Sequence, residues 1–293
     1  MMRLWNWWLN RCDKTMDARP LALVRILLPL CVIADLLRVI QLGLVDDVFL
    51  TYAQGGLSQI QDPHLVITDW FGASAGGIAL IVTLVCMALT MVGVWFKPAL
   101  LLGILAYSQL GHLYPPGDRA IDRLIRTGLL VLLFSNAHRR FSLSKAKTML
   151  QIPAWPADFI RFLLVVVYLA AGLAKLIQQP GWISLTAEPP LLRIITDPMA
   201  GNLDPLFWSS FTELFRLGGF GTIAFELSSV LLLTRYAHKW AIIGVFMHLG
   251  IAVTMTLGMF SWGMLSFYPL LLTPFILPLL DRFPRTQNPA SET

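Results

Sequence analysis

Ala75-Gly-Gly-Ile-Ala-Leu-Ile-Val-Thr-Leu-Val-Cys-Met-Ala-Leu-Thr-Met-Val-Gly-Val-Trp-Phe96 is the stretch that decides the fold. It holds no charged side chain. A helix rising about 1.5 Å per residue over it would match the roughly 30 Å hydrocarbon core of a bilayer. Further apolar runs lie at 20–42, 98–114, 122–138, 157–178, 218–236, 239–258 and 262–280. Lys97-Pro98 separates 75–96 from 98–114, the Pro115-Pro116-Gly117 turn closes the latter, and Arg235 to Lys239 divides the sixth run from the seventh. The expected fold is therefore all-α: a polytopic transmembrane helical bundle of about eight helices.

Composition agrees. Of the 293 residues 56% are hydrophobic and 13% charged, against about 25% charged in a typical soluble domain. The net charge of +5 does not point to nucleic acid, because the basic residues sit in short tracts beside apolar runs. Such tracts set topology and meet anionic headgroups. With the N-terminus inside, the cytoplasmic side receives Arg3, Arg11, Lys14, Arg19, Lys97, Arg139, Arg140, Lys145, Lys147, Arg235, Lys239, Arg282 and Arg285. The outer loop 43–74 has Asp46, Asp47, Asp62 and Asp69 but no Lys or Arg, and the long outer segment 179–217 has only Arg193 and Arg216. Both ends are thus expected in the cytoplasm, with the chain in the inner membrane. Residues 1–19 read as an interfacial basic segment with Trp5, Trp7 and Trp8, not as a cleavable signal, and 20–281 as the membrane domain. Residues 282–293 read as a short cytoplasmic tail. For 179–217 two readings stand, a cap over the outer face or a loose interfacial stretch.

Ionised side chains inside a bilayer are costly, so the few present are informative. Arg25 and Arg161 lie near the cytoplasmic end and are expected to snorkel. The remainder fall in the outer half or near the middle: Asp35, Arg38, Asp122, Arg126, Lys175, Glu226 and His248. Asp35/Arg38 and Asp122/Arg126 have the spacing of same-face pairs. Either each pair neutralises itself, or they pair across helices around a polar outer cavity. Tyr168, Ala171, Gly172 and Lys175 share one helix face. Lys175 reads as a snorkelling lysine or, with small neighbours that let another helix close over it, as a desolvated base. Glu226 or Asp122 directly against the amine would make it a member of a structural ion pair instead. His248 reads as an interhelical hydrogen-bonder or a catalyst, and Glu226 as a buried acid or the partner of His248 or an arginine. Cys12, Cys31 and Cys86 have no metal-ligand spacing and read as small apolar fillers. No HExxH, CxxC or phosphate-loop motif is present, so zinc and nucleotide chemistry lack support, and no metal is expected.

The segment Tyr168-Leu-Ala-Ala-Gly-Leu-Ala-Lys175-Leu, followed by Trp182, resembles the Y-x-x-A-G-x-x-K-L…W segment of the horizontally-transferred-transmembrane-domain (HTTM) family, which includes the vitamin-K-dependent γ-glutamyl carboxylase. Arg19-Pro-Leu-Ala-Leu-Val-Arg25, with Asp35 and Arg38, is similar to the family's first helix. Gly117-Asp-Arg-Ala-Ile-Asp122-Arg-Leu-Ile-Arg126 is similar to its G-G-D-x-x-x-R helix start. Met247-His248-Leu-Gly-Ile with Leu257-Gly-Met-Phe260-Ser-Trp-Gly-Met264 is similar to its H-x-x-I…G-x-F-x-x-x-M pair. The resemblance implies a carboxylase-like core in which the matching lysine deprotonates a reduced quinone. Lys175 and His248 are then the candidate catalytic residues. The large extramembrane domain with which the carboxylase holds its protein substrate has no counterpart here, so the resemblance does not extend to peptide carboxylation. Short members also resemble a family implicated in maturing a secreted peptide toxin. Three functions remain open: an enzyme acting on a quinone or other lipid-soluble substrate, a non-enzymatic accessory protein for maturation or export of a secreted partner, and a transporter.

Reporter fusions after Lys147 and Arg285 should report cytoplasmic, and fusions within 43–74 and 179–217 external. An external signal from the 139–147 tract would contradict the eight-helix topology.

Overall fold

The computed structural model describes residues 13–59, 66–144 and 148–282. The Trp-rich opening at 1–12, Lys145, Lys147 and the tail from 283 lie outside the described residues. Helices occupy all eight expected ranges: α1 (Ala18–Gln41), α2 (Ala75–Val92), α3 (Phe96–Leu113), α4 (Ala120–Leu133), α5 (Trp155–Ile177), α6 (Thr212–Leu227), α7 (Ala237–Thr254), and the pair α8 (Phe260–Leu265) and α9 (Thr273–Asp281). Four continuous helical stretches are long and apolar enough to cross a membrane, Ile67–Val92, Trp155–Ile177, Pro205–Leu233 and Ala237–Thr254, and a fifth if α8 and α9 count as one span. The molecule is thus a multi-pass helical bundle, with fewer spans by this measure than the expected eight.

The shortfall has local causes. Helix α4 has 14 residues, about 21 Å at 1.5 Å per residue and too short to cross alone. It ends before the polar Ser135-Asn136 rather than at 138. Helix α6 begins at Thr212, earlier than expected, and stops at Leu227; the chain then tightens into a 3-10 turn over Ser228–Leu233. There the hydroxyl of Ser228 donates to Phe225 O and that of Ser229 to Val165 O, competing with the helical ladder. The expected helix 262–280 is broken, its halves bent by 74°. Pro269 and Pro274 lack the N–H groups that would continue it. Arg161 Nη2 reaches into the break and donates to Leu270 O at 2.9 Å. Backbone opened at membrane depth needs such a partner.

Two antiparallel strands depart from the all-α expectation. β1 (Thr15–Asp17) pairs with β2 (Gln151–Pro153), Met16 opposite Ile152. These segments lead side by side into α1 and α5, and each satisfies the other's backbone groups. Asp17 caps α1, accepting from Arg19 N at 2.9 Å. Burial raises its pKa, but the Arg19 hydrogen bonds outweigh this and hold the carboxyl below the usual range. Arg19 Nη1 also meets Asp281 Oδ1 at 2.7 Å, so the start of α1 and the end of α9 lie at one end of the bundle. At the other end, segment 179–217 folds into short helices, Pro190–Thr196 and Pro205–Trp208. Arg216 ties it to Ser184 O and Ala187 O, and Ala200 O accepts from Thr256 N.

Leu21, Leu28, Met87, Leu129, Leu164 and Phe267 fill the interior. Large apolar side chains also face outward along the helices, with Ile81 63% and Val253 72% exposed. A surface of this kind suits lipid, not water.

Arg25 corrects the snorkelling expectation. It is 0% exposed. Its Nη1 donates to Thr90 O and Met91 O at 2.8 and 2.7 Å, and its Nη2 to Arg140 O and Phe141 O at 3.2 and 2.6 Å. The guanidinium caps the C-terminus of α2, where carbonyls lack helical partners and the helix dipole favours a cation. Gly93, at φ +77°, turns the chain there; a Cβ on it would lie 2.9 Å from Arg25 Nη1.

Arg25→Leu should destabilise the detergent-solubilised protein by about 3 kcal/mol, since charged hydrogen bonds contribute about 1.5–3 kcal/mol each and several carbonyls lose their donor. Arg25→Lys should rescue only part, because one ammonium cannot span both sets of carbonyls. Unchanged thermal unfolding in both variants would contradict the capping role.

Candidate functional site

One face of α5 carries two polar clusters. Near its C-terminal end, Lys175 Nζ donates to both carboxylate oxygens of Glu226, at 2.7 and 2.9 Å. Gly172 makes this contact reachable. A Cβ there would lie 3.0 Å from Glu226 Cβ and from Leu227 Cδ2, so the bare glycine lets α6 close on α5. The Lys175 side chain is 20% exposed and that of Glu226 9%. The Trp182 ring lies 5.3 Å from the amine, adding a cation–π contact.

About 10 Å along the helix, two turns inward, Tyr168 heads the second cluster. Its hydroxyl is 2.6 Å from His248 Nε2 on α7 and 2.9 Å from the Tyr268 hydroxyl beyond α8. Gly244 makes room for Tyr268, whose hydroxyl would lie 2.2 Å from a Cβ at that position. Phe225 and Trp240 stack on each other at 4.0 Å and both meet the Tyr168 ring edge-on. All three members of the chain are buried, and His248 Nδ1 has no partner among the described residues. The chain is consistent in two directions. Either Tyr268 donates to Tyr168, which donates to His248 Nε2, or His248 Nε2–H donates to Tyr168, which donates to Tyr268. Switching direction moves a proton between the ends of the chain, and Nδ1 is a spare donor in the first state and a spare acceptor in the second.

A third cluster lies where the end of α1 meets the start of α4. Arg119 Nη2 meets Asp35 Oδ2 at 2.5 Å, and Arg119 Nε meets Asp122 Oδ2 at 2.8 Å. Tyr107 donates its hydroxyl to Asp122 Oδ1 at 2.9 Å. Arg126 pairs with Asp118 at 2.7 Å. Burial works against the Arg119 charge, but its two carboxylates outweigh burial and hold the guanidinium above its usual range. A cavity of about 550 Å³ opens beside Asp35, Arg38 and Arg119, floored by Gly258 and Phe260. Gly258, at φ +57°, admits the arginine: a Cβ would come within 2.7 Å of Arg119 Nη1.

Several expectations are corrected. Asp35 does not pair with Arg38, nor Asp122 with Arg126; the partners are Arg119 and Asp118, because the chain before α4 folds back over the helix start. The across-helix reading describes Asp35, and Arg38 is left exposed. Glu226 takes Lys175, not His248 or an arginine. Lys175 is therefore not a lone amine held away from anions, and neither the outer cavity nor the large inner-end groove includes it. Arg119, Asp118, Tyr107 and Tyr268 were not singled out from sequence as site residues. The charge density of Gly117 to Arg126 was the available signal for the first two.

An HTTM domain model matches residues 13–275. The chain belongs to the HTTM family. No curated protein and no solved structure matches this HTTM protein. The match spans all three clusters, from Asp35 to Tyr268.

Proposed function

We propose that this HTTM protein is an intramembrane enzyme that takes a proton from a lipid-soluble substrate bearing an acidic hydroxyl. A reduced quinone is the case the family resemblance implies. The observation that carries the reading is the buried Tyr168–His248–Tyr268 chain, set in apolar surroundings on the same helix face as Lys175–Glu226. Interior polar groups without a purely structural partner, such as His248 Nδ1, are costly to maintain in a membrane and mark candidate sites.

The contact with Glu226 changes the expected roles. A lysine beside a carboxylate favours its charged form and is a poor base by itself. The pair can act as a unit. A hydroquinone O–H breaks, Glu226 takes the proton, and the hydroquinone monoanion is left beside the Lys175 ammonium. Charge balances at each stage, and the anion gains a partner in a low-dielectric setting where such pairing is strong. The second hydroxyl keeps its proton, and Tyr168 and His248 orient the ring by hydrogen bonding to it.

The accessory reading keeps one specific support. Glu226 neutralises Lys175 as a structural ion pair would, and Met199 and Leu206 on the outer segment are 89% and 88% exposed, apolar surface suited to a secreted partner. A transporter calls for broken helices in corresponding halves. Among the described residues a single bent pair occurs.

The test is oxygen uptake by a short-chain naphthohydroquinone added to the protein in nanodiscs, since the hydroquinone anion oxidises faster than the neutral form. Wild type should accelerate uptake. Glu226→Gln and Lys175→Met should each lower the rate per folded protein about 100-fold, the scale of a lost general base. Lys175→Arg, which keeps the charge, should retain part of the activity. Wild-type uptake at the protein-free rate would overturn the enzymatic reading and leave the accessory one.

A further inference from the structure

At the opposite end of α5 from Lys175, a groove of about 1600 Å³ runs between the starts of α5 and α7 and the α8–α9 break. It exceeds the roughly 300–1,000 Å³ of a small-molecule pocket. Phe159, Phe162, Leu271 and Leu277 line its floor. Its rim is basic, with Lys14, Arg161, Arg235 and His238. The one carboxylate of the lining, Asp158, is already bonded to Arg161 Nη1 at 3.0 Å, and Arg161 Nη2 is committed to Leu270 O. Asp158 and Arg161 therefore neutralise each other, and Lys14 and Arg235, both exposed, supply the net positive charge and the donors at the mouth.

The charge and the apolar floor select the occupant. A neutral apolar helix would leave the basic rim unanswered, and a cationic amphiphile would be repelled. A long trough lined by aromatic and aliphatic side chains under a positive rim complements an anionic head joined to hydrocarbon chains. The groove also lies among helix starts, on the end of the bundle that the Lys/Arg bias assigns to the cytoplasm. Anionic lipid is concentrated there, and basic pockets between helices hold its headgroups.

We propose that this groove binds one anionic phospholipid, its phosphate held by Lys14 and Arg235 and its acyl chains laid along Phe159 and Phe162. The lipid would brace the β1–β2 clasp and the broken helix α8–α9 against α5. The site is independent of the proposed enzymatic reading, since none of its residues belongs to the Lys175 or Tyr168 clusters.

Native mass spectrometry of the full chain, delipidated in detergent and titrated with phosphatidylglycerol or phosphatidylcholine of identical chains, tests this. One phosphatidylglycerol should be retained at least tenfold more tightly than phosphatidylcholine. Lys14→Gln with Arg235→Gln should remove that preference, Lys14→Arg with Arg235→Lys should keep it, and Lys239→Gln, outside the lining, should leave it unchanged. Glycerol phosphate without acyl chains should not compete. Equal retention of both lipids, an unchanged preference in the glutamine variant, or competition by glycerol phosphate would overturn the proposal. So would a protein that takes up no lipid, whether the groove is filled by a second copy, seen as a dimer mass, or by the chain's own residues.

Discussion

A bilayer interior offers no partner to a polar group, so each one the chain carries inward must be met by another part of the chain. Arg25 shows how strongly this governs the fold. Its guanidinium is fully buried, yet its donors reach carbonyls at the end of α2 and in the 140–141 segment, joining three stretches of chain at one point. Arg161 does the same for the broken helix. At the opposite end of the bundle Arg119 bridges carboxylates on α1 and α4. These three arginines are fasteners, and the apolar core packs around the positions they fix.

The α5 face differs in kind. Its clusters join α5 to α6, α7 and the α8–α9 break through side chains alone, and one ring nitrogen is left over. The arginine fasteners end on backbone carbonyls or carboxylates instead, although Arg25 Nε and Arg161 Nε also lack partners among the described residues. The break that delivers Tyr268 to the chain is itself held open by Arg161, seven residues before Tyr168 on the same α5 helix. The fastening and the candidate chemistry thus share a scaffold, and strain at one would be felt at the other.

Much of this was legible in the sequence, and the missing part has a physical pattern. Apolar run lengths located every helix of the bundle, because lipid contact and burial both demand apolar residues. The small-residue face at Gly172 announced the close approach of another helix. The partners were not legible. Spacing on one helix suggested Asp35 with Arg38, but a residue pairs with whatever tertiary packing brings near, and Arg119 lies 84 residues away. Arg25 looked like a snorkelling residue because sequence shows depth along its own helix and not the open carbonyls of a neighbour. The break near Leu271 was foreshadowed by Pro269 and Pro274, whose effect was masked by the unbroken apolar character of the run.

The account rests on Lys175 and Glu226 acting as one unit, and a double-mutant cycle measures that most directly. Unfolding free energies in one detergent would be compared for wild type, Lys175→Met, Glu226→Gln and the double variant. Each single change strands a buried polar partner, so each should cost about 2–3 kcal/mol, reduced from a fully buried pair by the partial exposure of the lysine. The double variant should cost no more than about either single change, giving a coupling energy of about 2 kcal/mol. Additive losses with no coupling would show that the two side chains act independently, and the proposed proton-accepting pair would not exist.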